Sequence, residues 1–437
     1  MYQVQDSVAL LRARRRFVVA RQAGRPFVAR TVVLLGLTSL FTDISSEMVS
    51  AILPLWAIST LGLNPLQFGA INGIYQGGSA VVRIISGFAA DRMVRYRAVA
   101  AVGYGLSALA KLGLLLTGTF GAASTIIFAD RVGKGIRTAP RDAMISLSSE
   151  PEELGTAFGV HRAMDTCGAM IGPLLAFGLL ALSADDFHGI FLISFCFALI
   201  GVAILTLLVE DPARPAGAEA ERGAEPEPEP EPAPKPTLRG ATAVLRRGRL
   251  GALVLIAFLL GLATVGDAFL YLQLDARLDL DNSLFPLLYV GTSSVFMVMA
   301  VPAGRLADRF GRSRVFTCGY LLLLAVYAML LSGADGALLL PVTLGALGLY
   351  YAMTDGVLAA LGSAAVPAQL RGTGLAVLGT ATGVAQFAAS IAFGALWLWL
   401  GAHDAFLVFT VALAVALAAT VVVLLVRPAR AAEPSAA

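Results

Sequence analysis

GRLADRFGRSR, from Gly304 to Arg314, decides the architecture. It closes an apolar stretch of membrane-spanning length with a basic turn, and it has an echo 217 positions earlier, where Gly87 to Arg97 reads GFAADRMVRYR. Gly87 answers Gly304, Ala90 answers Ala307, Asp91 answers Asp308, Arg92 answers Arg309 and Arg95 answers Arg312. The same offset sets Leu154-Gly155-Thr156-Ala157-Phe158 against Arg371-Gly372-Thr373-Gly374-Leu375. Two matches at one offset indicate that one half of the chain duplicates the other. A looser echo, at an offset of 220, sets Ser46-Glu47-Met48 near Gly266-Asp267-Ala268.

Composition sets the class. The 437 residues are 57% hydrophobic and 14% charged, with a mean hydropathy of +0.79. A soluble domain carries roughly a quarter charged residues, so this chain belongs in a bilayer. A spanning helix needs about 20 mostly apolar residues. Twelve such stretches begin near Thr31, Leu66, Ala98, Ala122, Gly155, Gly189, Leu250, Leu284, Val315, Leu338, Gly372 and Phe406. No segment shows the period-two alternation of a transmembrane barrel, which leaves an all-α membrane protein of twelve helices in two six-helix pseudo-repeats.

The net charge of +3 is informative through its distribution. Arg12, Arg14, Arg15, Arg16, Arg21, Arg25 and Arg30 precede the first span, and every second connection after it is basic. The remaining turns, near Gly62, Thr119, Asp186, Asp279, Gly333 and His403, contain one Arg, Arg277. The positive-inside rule then places both termini on the cytoplasmic face of the cell's inner membrane, and nothing in the pattern calls for nucleic acid. The domain reading is a basic tail over 1–30, one six-helix half over 31–209, a Glu/Pro-rich linker over 210–249, a second half over 250–426 and a short tail over 427–437. The linker's EPEPEPEPAPKP run is expected to be extended, self-repelling and disordered, with Arg246, Arg247 and Arg249 at the lipid headgroups. The first apolar segment runs from Thr31 to about Leu61 without a small-residue cleavage site, so it reads as a retained span. Cys167, Cys196 and Cys318 lie in apolar helices and form no CxxC pair, so neither a disulfide nor a thiolate metal site is expected.

Two six-helix halves, a long central linker and the paired basic turns resemble the major facilitator superfamily of transporters over nearly the whole chain. Gly304 to Arg314 meets that superfamily's G-x-L-A-D-R-x-G-R-[KR] signature with Ser313 as the departure; Gly87 to Arg97 is looser, with Ala89, Val94 and Tyr96 departing. The resemblance implies a gate motif at Gly87, Asp91, Arg92, Arg95, Gly304, Asp308, Arg309, Gly311 and Arg312. In it, Asp91 and Asp308 would meet the positive N-terminal ends of the helices near Gly372 and Gly155, forming a latch that one access state makes and the other breaks. Arg131 opens RVGKGIRTA, which is similar to the superfamily's helix-four signature at Arg131, Gly135 and Ala139, with Lys134 and Arg137 departing. That resemblance implies that Arg131 faces the central cavity and takes part in proton coupling. Gly168, Gly172 and Pro173 resemble part of the G-x-x-x-G-P signature of exporters that work by antiport, with Ala176 and Phe177 in place of its closing glycines. Glycines four apart allow close helix contact and the proline bends the helix, which would seal and flex the interface between the halves.

Charges inside a bilayer cost about 2.5–3.5 kcal/mol each on insertion scales, so they mark function or pairing. They gather in the first half: Asp43 and Glu47; Arg83; Asp130, Arg131, Lys134, Arg137, Arg141 and Asp142; His161, Arg162 and Asp165. Asp43 and Glu47, spaced i,i+4, share one helix face and can share a proton; the alternative is a permanent pairing with Arg131 or Arg83. His161 and Asp165, again i,i+4, read either as a proton relay or as a hydrogen-bonded lock between helices. A divalent metal held by Asp43, Glu47, His161 and Asp165 is a weaker reading, since the chain holds three His and no ligand cluster. GKG at 133–135 is no phosphate loop, because Gly135 follows the lysine where Ser or Thr is needed. In the second half Asp267, Tyr351 and Asp355, with Tyr75, Gln76 and Gln386, are candidates for a substrate cavity near the midplane. Lys111 is read as peripheral, on a third helix expected to snorkel or pair locally.

These readings lead to a secondary transporter with no cofactor and no enzymatic chemistry. It would be a monomer in the lipid bilayer that moves a small-molecule substrate by alternating access, with protons as the coupling ion and export by antiport. An uptake permease is the alternative in the same class. A divalent metal-cation exporter is another, because TDISSEM with RVGKGIRTAPRDA resembles a less-studied prokaryotic branch linked to metal resistance. A receptor or scaffold without transport has little use for so many buried charges.

Overall fold

In hydrocarbon every backbone N–H and C=O must be satisfied within its own segment, so apolar stretches of this length fold as helices. The computed structural model describes residues 28–93, 95–149, 153–183, 186–211, 248–332, 336, 338–366 and 371–426. The first half contains α1 (Arg30–Leu55, extended by a π-helical turn over Trp56–Thr60), α2 (Pro65–Met93), α3 (Tyr96–Leu114), α4 (Phe120–Leu147), α5 (Leu154–Leu182) and α6 (Phe187–Leu208). The second contains α7 in two pieces, α7a (Gly248–Leu262) and α7b (Asp267–Leu278), then α8 (Phe285–Phe310), α9 (Arg312–Leu331), α10 (Leu339–Ala364), α11 (Arg371–Leu400) and α12 (Ala402–Val421).

Of the twelve expected spans, nine of the described helices are long and apolar enough to cross a membrane by length and composition. The three that fall short are α2, α3 and α4. Polar content is the reason: α4 alone carries Asp130, Arg131, Lys134, Arg137, Arg141 and Asp142. The basic tail, most of the expected linker (212–247) and the C-terminal tail lie outside the described residues, as do the side chains of Arg83, Asp91 and Arg92 and the surroundings of Gly87.

Helices pack mainly within their own half. In the first, α1 lies against α5 and α6, α4 against α2 and α3, and α3 against α6; in the second, α10 lies against α8 and α9, and α11 against α7a and α12. The halves meet along α2 and α11, and more lightly along α5 and α8.

The α2–α11 contact is built at the end of the bundle away from the basic turns. Asn72 Nδ2 donates to Ser390 Oγ at 2.9 Å, and Ser390 Oγ donates to the Gly69 carbonyl at 2.9 Å. Beside this polar stitch stand aromatic rings from both halves. Phe68 of α2 is 4.9 Å from Phe269 of α7b, which is 4.8 Å from Phe393 of α11, and Phe393 in turn meets Phe406 and Phe409 of α12 at 4.9 and 5.0 Å. Edge-on contacts of this kind add about 0.5–1.5 kcal/mol each to the area they bury.

The break in α7 is stabilised by one side chain. Between Leu262 and Asp267 the helical ladder stops, and the exposed backbone must find other partners. Tyr327 of α9, fully buried, accepts the Val265 N–H on its hydroxyl at 2.7 Å and donates to the Ala263 carbonyl at 3.5 Å. At the basic end, Gly311 separates α8 from α9 with φ of +99°, a conformation that L side chains rarely adopt.

Candidate functional site

The long central helix α4 carries its charges at 130, 134, 137 and 141, which helical spacing puts on one face with Arg131 beside it. α2 and α3 flank it, and α1 and α5 complete the charged surface. Two networks result.

The deeper one is a buried trio. Asp130 accepts Lys111 Nζ at 2.6 Å on one carboxylate oxygen and Arg131 Nε at 2.9 Å on the other, with Arg131 Nη2 ion-paired to the same oxygen. Lys111, Asp130 and Arg131 are 2%, 9% and 3% exposed. Lys111 also reaches Ser46 Oγ of α1 at 3.3 Å, and the Arg131 guanidinium lies 3.8 Å from the centre of the Tyr75 ring. Lys111, expected to be peripheral, is thus part of the core. The α3 sequence YRAVAAVGYGLSALAKLGL held a signal: Lys111 shares one face with Tyr104 and Ser107, a polar stripe in an otherwise apolar helix.

The shallower network joins α1, α4 and α5. Arg137 Nη2 lies 3.8 Å from Asp43 Oδ1, and its guanidinium sits 4.5 Å from the Tyr104 ring centre. The Asp43 and Asp165 carboxyl groups are neighbours in this network. Arg141 bonds Asp142 at 2.9 Å and approaches Asp165 at 3.9 Å, and Arg162 approaches Asp165 at 3.7 Å. His161 shares a 3.0 Å hydrogen bond with Ser39 Oγ, and Ser39 also meets Tyr104 and Arg141. Neither Asp43 nor Glu47 is paired with Arg131, whose partner is Asp130.

Gly168 and Gly172 seat α5 directly on these carboxylates. A Cβ on Gly168 would lie 2.6 Å from the Leu40 carbonyl and 3.1 Å from Asp43 Cβ; one on Gly172 would lie 2.7 Å from the Ile44 carbonyl and 2.9 Å from Glu47 Cβ. The seam joins two helices of the same half, so the close contact of these glycines is with α1 and not across the halves. Pro173, the next residue, is buried in α5.

Between the halves lies a cavity of about 430 Å³ lined by Glu47, Ser50, Asn72, Tyr75, Gln76, Arg131, Lys134 and Asp267, among others. Asp267, first residue of α7b, accepts the Tyr351 hydroxyl at 2.5 Å. The ring of Tyr289, also in the lining, packs on Tyr271 at 4.6 Å. The aromatic closure forms one wall through Phe68. Of the expected cavity residues, Tyr75, Gln76 and Asp267 line this space and Tyr351 supports it through Asp267. Asp355 and Gln386 are exposed on α10 and α11, outside the lining. Among the described residues no group of three or more His, Cys, Asp or Glu side chains is placed to hold a metal ion.

Of the gate motif, Asp308 bonds Arg312 at 3.1 Å, Gly304 is buried, Arg309 lies over the Phe310 ring at 5.4 Å and Arg95 is exposed.

Comparison with known proteins follows the same lines. A family model for the Major Facilitator Superfamily matches residues 35–299 and 272–437. An uncharacterized MFS-type transporter of Methanocaldococcus jannaschii is 31% identical over 380 residues, covering 85% of this chain and 89% of that one. Among solved structures, a mutant of the nucleoside transporter NupG superposes with a TM-score of 0.74 at 16% identity, over 90% of this chain and 99% of that one. A bacterial homolog of the human lysosomal transporter Spinster, in an inward-facing and unoccupied conformation, gives 0.70 at 14% identity over 89% and 95%. At those identities the superpositions speak for the fold. With the family model spanning both halves and a relative aligned along most of its length, the chain belongs to the Major Facilitator Superfamily and is a multi-pass membrane protein of secondary transport.

Proposed function

We propose that the protein exports a small organic molecule across the cytoplasmic membrane in exchange for protons, as a monomer with both termini in the cytoplasm. The observation that carries this reading is the Asp43–Asp165 contact. Two neighbouring carboxyl groups in a low-dielectric setting can share one proton, and Asp165 Oδ1 is buried with no N–H or O–H donor among the described residues. The pair is faced by Lys134, Arg137 and Arg141 from α4 and by His161 and Arg162 from α5. One turn along α1 from Asp43, Glu47 lines the cavity, so the proton site and the substrate site share a helix face. A change at one is felt at the other through the close α1–α5 seam.

The gate motif supports alternating access. With the end away from the basic turns held by Phe68, Phe269 and Phe393, Asp308 is engaged with Arg312, and the latch at the N-termini of α5 and α11 belongs to the opposite state.

The test uses the full chain in proteoliposomes holding an internal pH dye. A panel of amphipathic drugs, organic acids, amino acids, sugars and divalent metals is added in turn. Antiport is expected to drive protons opposite to one class of compound, and Asp43→Asn to slow that flux by about 100-fold, the usual contribution of a positioned proton carrier. Protons moving with the compound would make the protein an uptake permease. Flux unchanged in both Asp43→Asn and Asp165→Asn would remove the carboxyl pair from the mechanism.

A further inference from the structure

The two walls of the cavity carry opposite charge. On the first-half wall Lys134 enters none of the ion pairs of the described residues, and Arg131 belongs to a trio with two cations to one carboxylate. Glu47 stands among them, leaving the wall net positive. The second-half wall is acidic. From residue 248 to 426 the chain has no lysine, and the arginines of the described helices lie near helix ends. Its charge on the cavity is Asp267, set among Tyr271, Tyr289 and Tyr351. Tyrosine faces attract cations by their quadrupole. Asp267 accepts the Tyr351 hydroxyl on Oδ1, and among the described residues no hydrogen bond to its other oxygen is found.

From these walls we infer that the transported molecule is amphoteric: a small scaffold carrying an ammonium group, held by Asp267 with Tyr289 alongside, and a carboxylate or similar anion, held by Lys134 and Arg131. This rests on the cavity being the transport site. An uncompensated charge away from water costs several kcal/mol, and each wall holds one. A cation alone would leave the positive first-half wall unanswered, an anion alone would leave Asp267 unanswered, and a neutral molecule would leave both. A volume of about 430 Å³ falls within the range of small-molecule pockets.

The experiment measures binding to the purified full-length protein in detergent, by ligand-induced thermal stabilisation and equilibrium dialysis, so it does not depend on coupling. Four-way sets are built on two scaffolds: phenylalanine, its methyl ester, its N-acetyl form and the N-acetyl methyl ester, then the same four from 4-aminobutyrate. In at least one set the amphoteric member binds, and its three relatives bind about tenfold more weakly or worse, the loss of one charge-assisted hydrogen bond. Lys134→Gln removes the preference over the ester, and Asp267→Asn removes the preference over the N-acetyl form. Tyr351→Phe, which loses the hydroxyl but keeps the carboxylate, retains both preferences. The inference is overturned if the strongest binder in every set is singly charged or neutral, or if no member binds. A singly charged compound that binds best and drives proton flux would sink this assignment and leave the antiport reading standing. An amphoteric compound that binds and moves no protons would do the reverse.

Discussion

The two halves share a helix plan and fill it differently. Where α1, α4 and α5 meet, the first half uses charge: Asp43 with Arg137 and Asp165, Asp130 with Lys111 and Arg131, Arg141 with Asp142. In the second half, α7, α9, α10 and α11 meet largely through rings. Tyr320 meets Tyr350 edge to face at 5.3 Å, Tyr350 lies tilted against Tyr351 at 4.9 Å, and Phe393 is ringed by Phe269, Trp397, Phe406 and Phe409. Duplication fixes where helices cross and leaves the contents of each crossing free. One half has come to hold ions, and the other carries the closure and the broken helix.

Substitutions can break or sharpen that contrast. The largest effect is expected from Asp130→Asn, which leaves Lys111 and Arg131 buried together without their anion and should cost about 3–5 kcal/mol. Thermal unfolding in detergent measures it, and a wild-type midpoint would mean that the trio is not holding the first half together. Gly168→Ala drives a methyl group into the α1 backbone beside Asp43; about 2 kcal/mol is expected, with proton flux falling further than stability does. Equal losses in the two would reduce the seam to packing. In the second half, Tyr327→Phe strands the Val265 N–H for about 1–2 kcal/mol, and amide exchange at Val265 should quicken while α1 is untouched. Unchanged exchange there would show that the break needs no such partner. The smallest effect is Tyr351→Phe, about 1 kcal/mol for one hydrogen bond to Asp267; a loss as large as that of Asp130→Asn would erase the contrast.

Much of this plan was legible in the residues, because charge in an apolar sequence is conspicuous. The echo of Gly304–Arg314 at Gly87–Arg97 marks the duplication, and Asp43, Glu47, Arg131 and Asp267 stand out in apolar surroundings. Partners were not legible. Helical spacing shows which residues share a face but not which helix that face meets, so Arg131 was weighed against Asp43 when its carboxylate is the adjacent Asp130. A third helix reads as peripheral from sequence, yet its Lys111 supplies the second cation of the trio. The aromatic closure was invisible for another reason: Phe68, Phe269 and Phe393 are indistinguishable in sequence from any lipid-facing or core phenylalanine. The α7 break had a single mark, Gly266 before Asp267, which only the Tyr327 hydroxyl makes meaningful.

The closure between α2, α7b and α11 is made of Phe68, Phe269, Phe393, Asn72 and Ser390, and none of these bears a formal charge. A membrane potential acts on charge, at about 2.3 kcal/mol per elementary charge per 100 mV. The rings themselves carry no charge through that field, so voltage acts on this end only through charged groups that move with them, such as Asp267 two residues before Phe269. It acts on the ionised groups of the first half and on whatever they carry. If the proposed proton antiport carries an amphoteric passenger of zero net charge, the electrical current of a complete cycle counts protons alone, and the ratio of current to substrate moved reads the coupling stoichiometry.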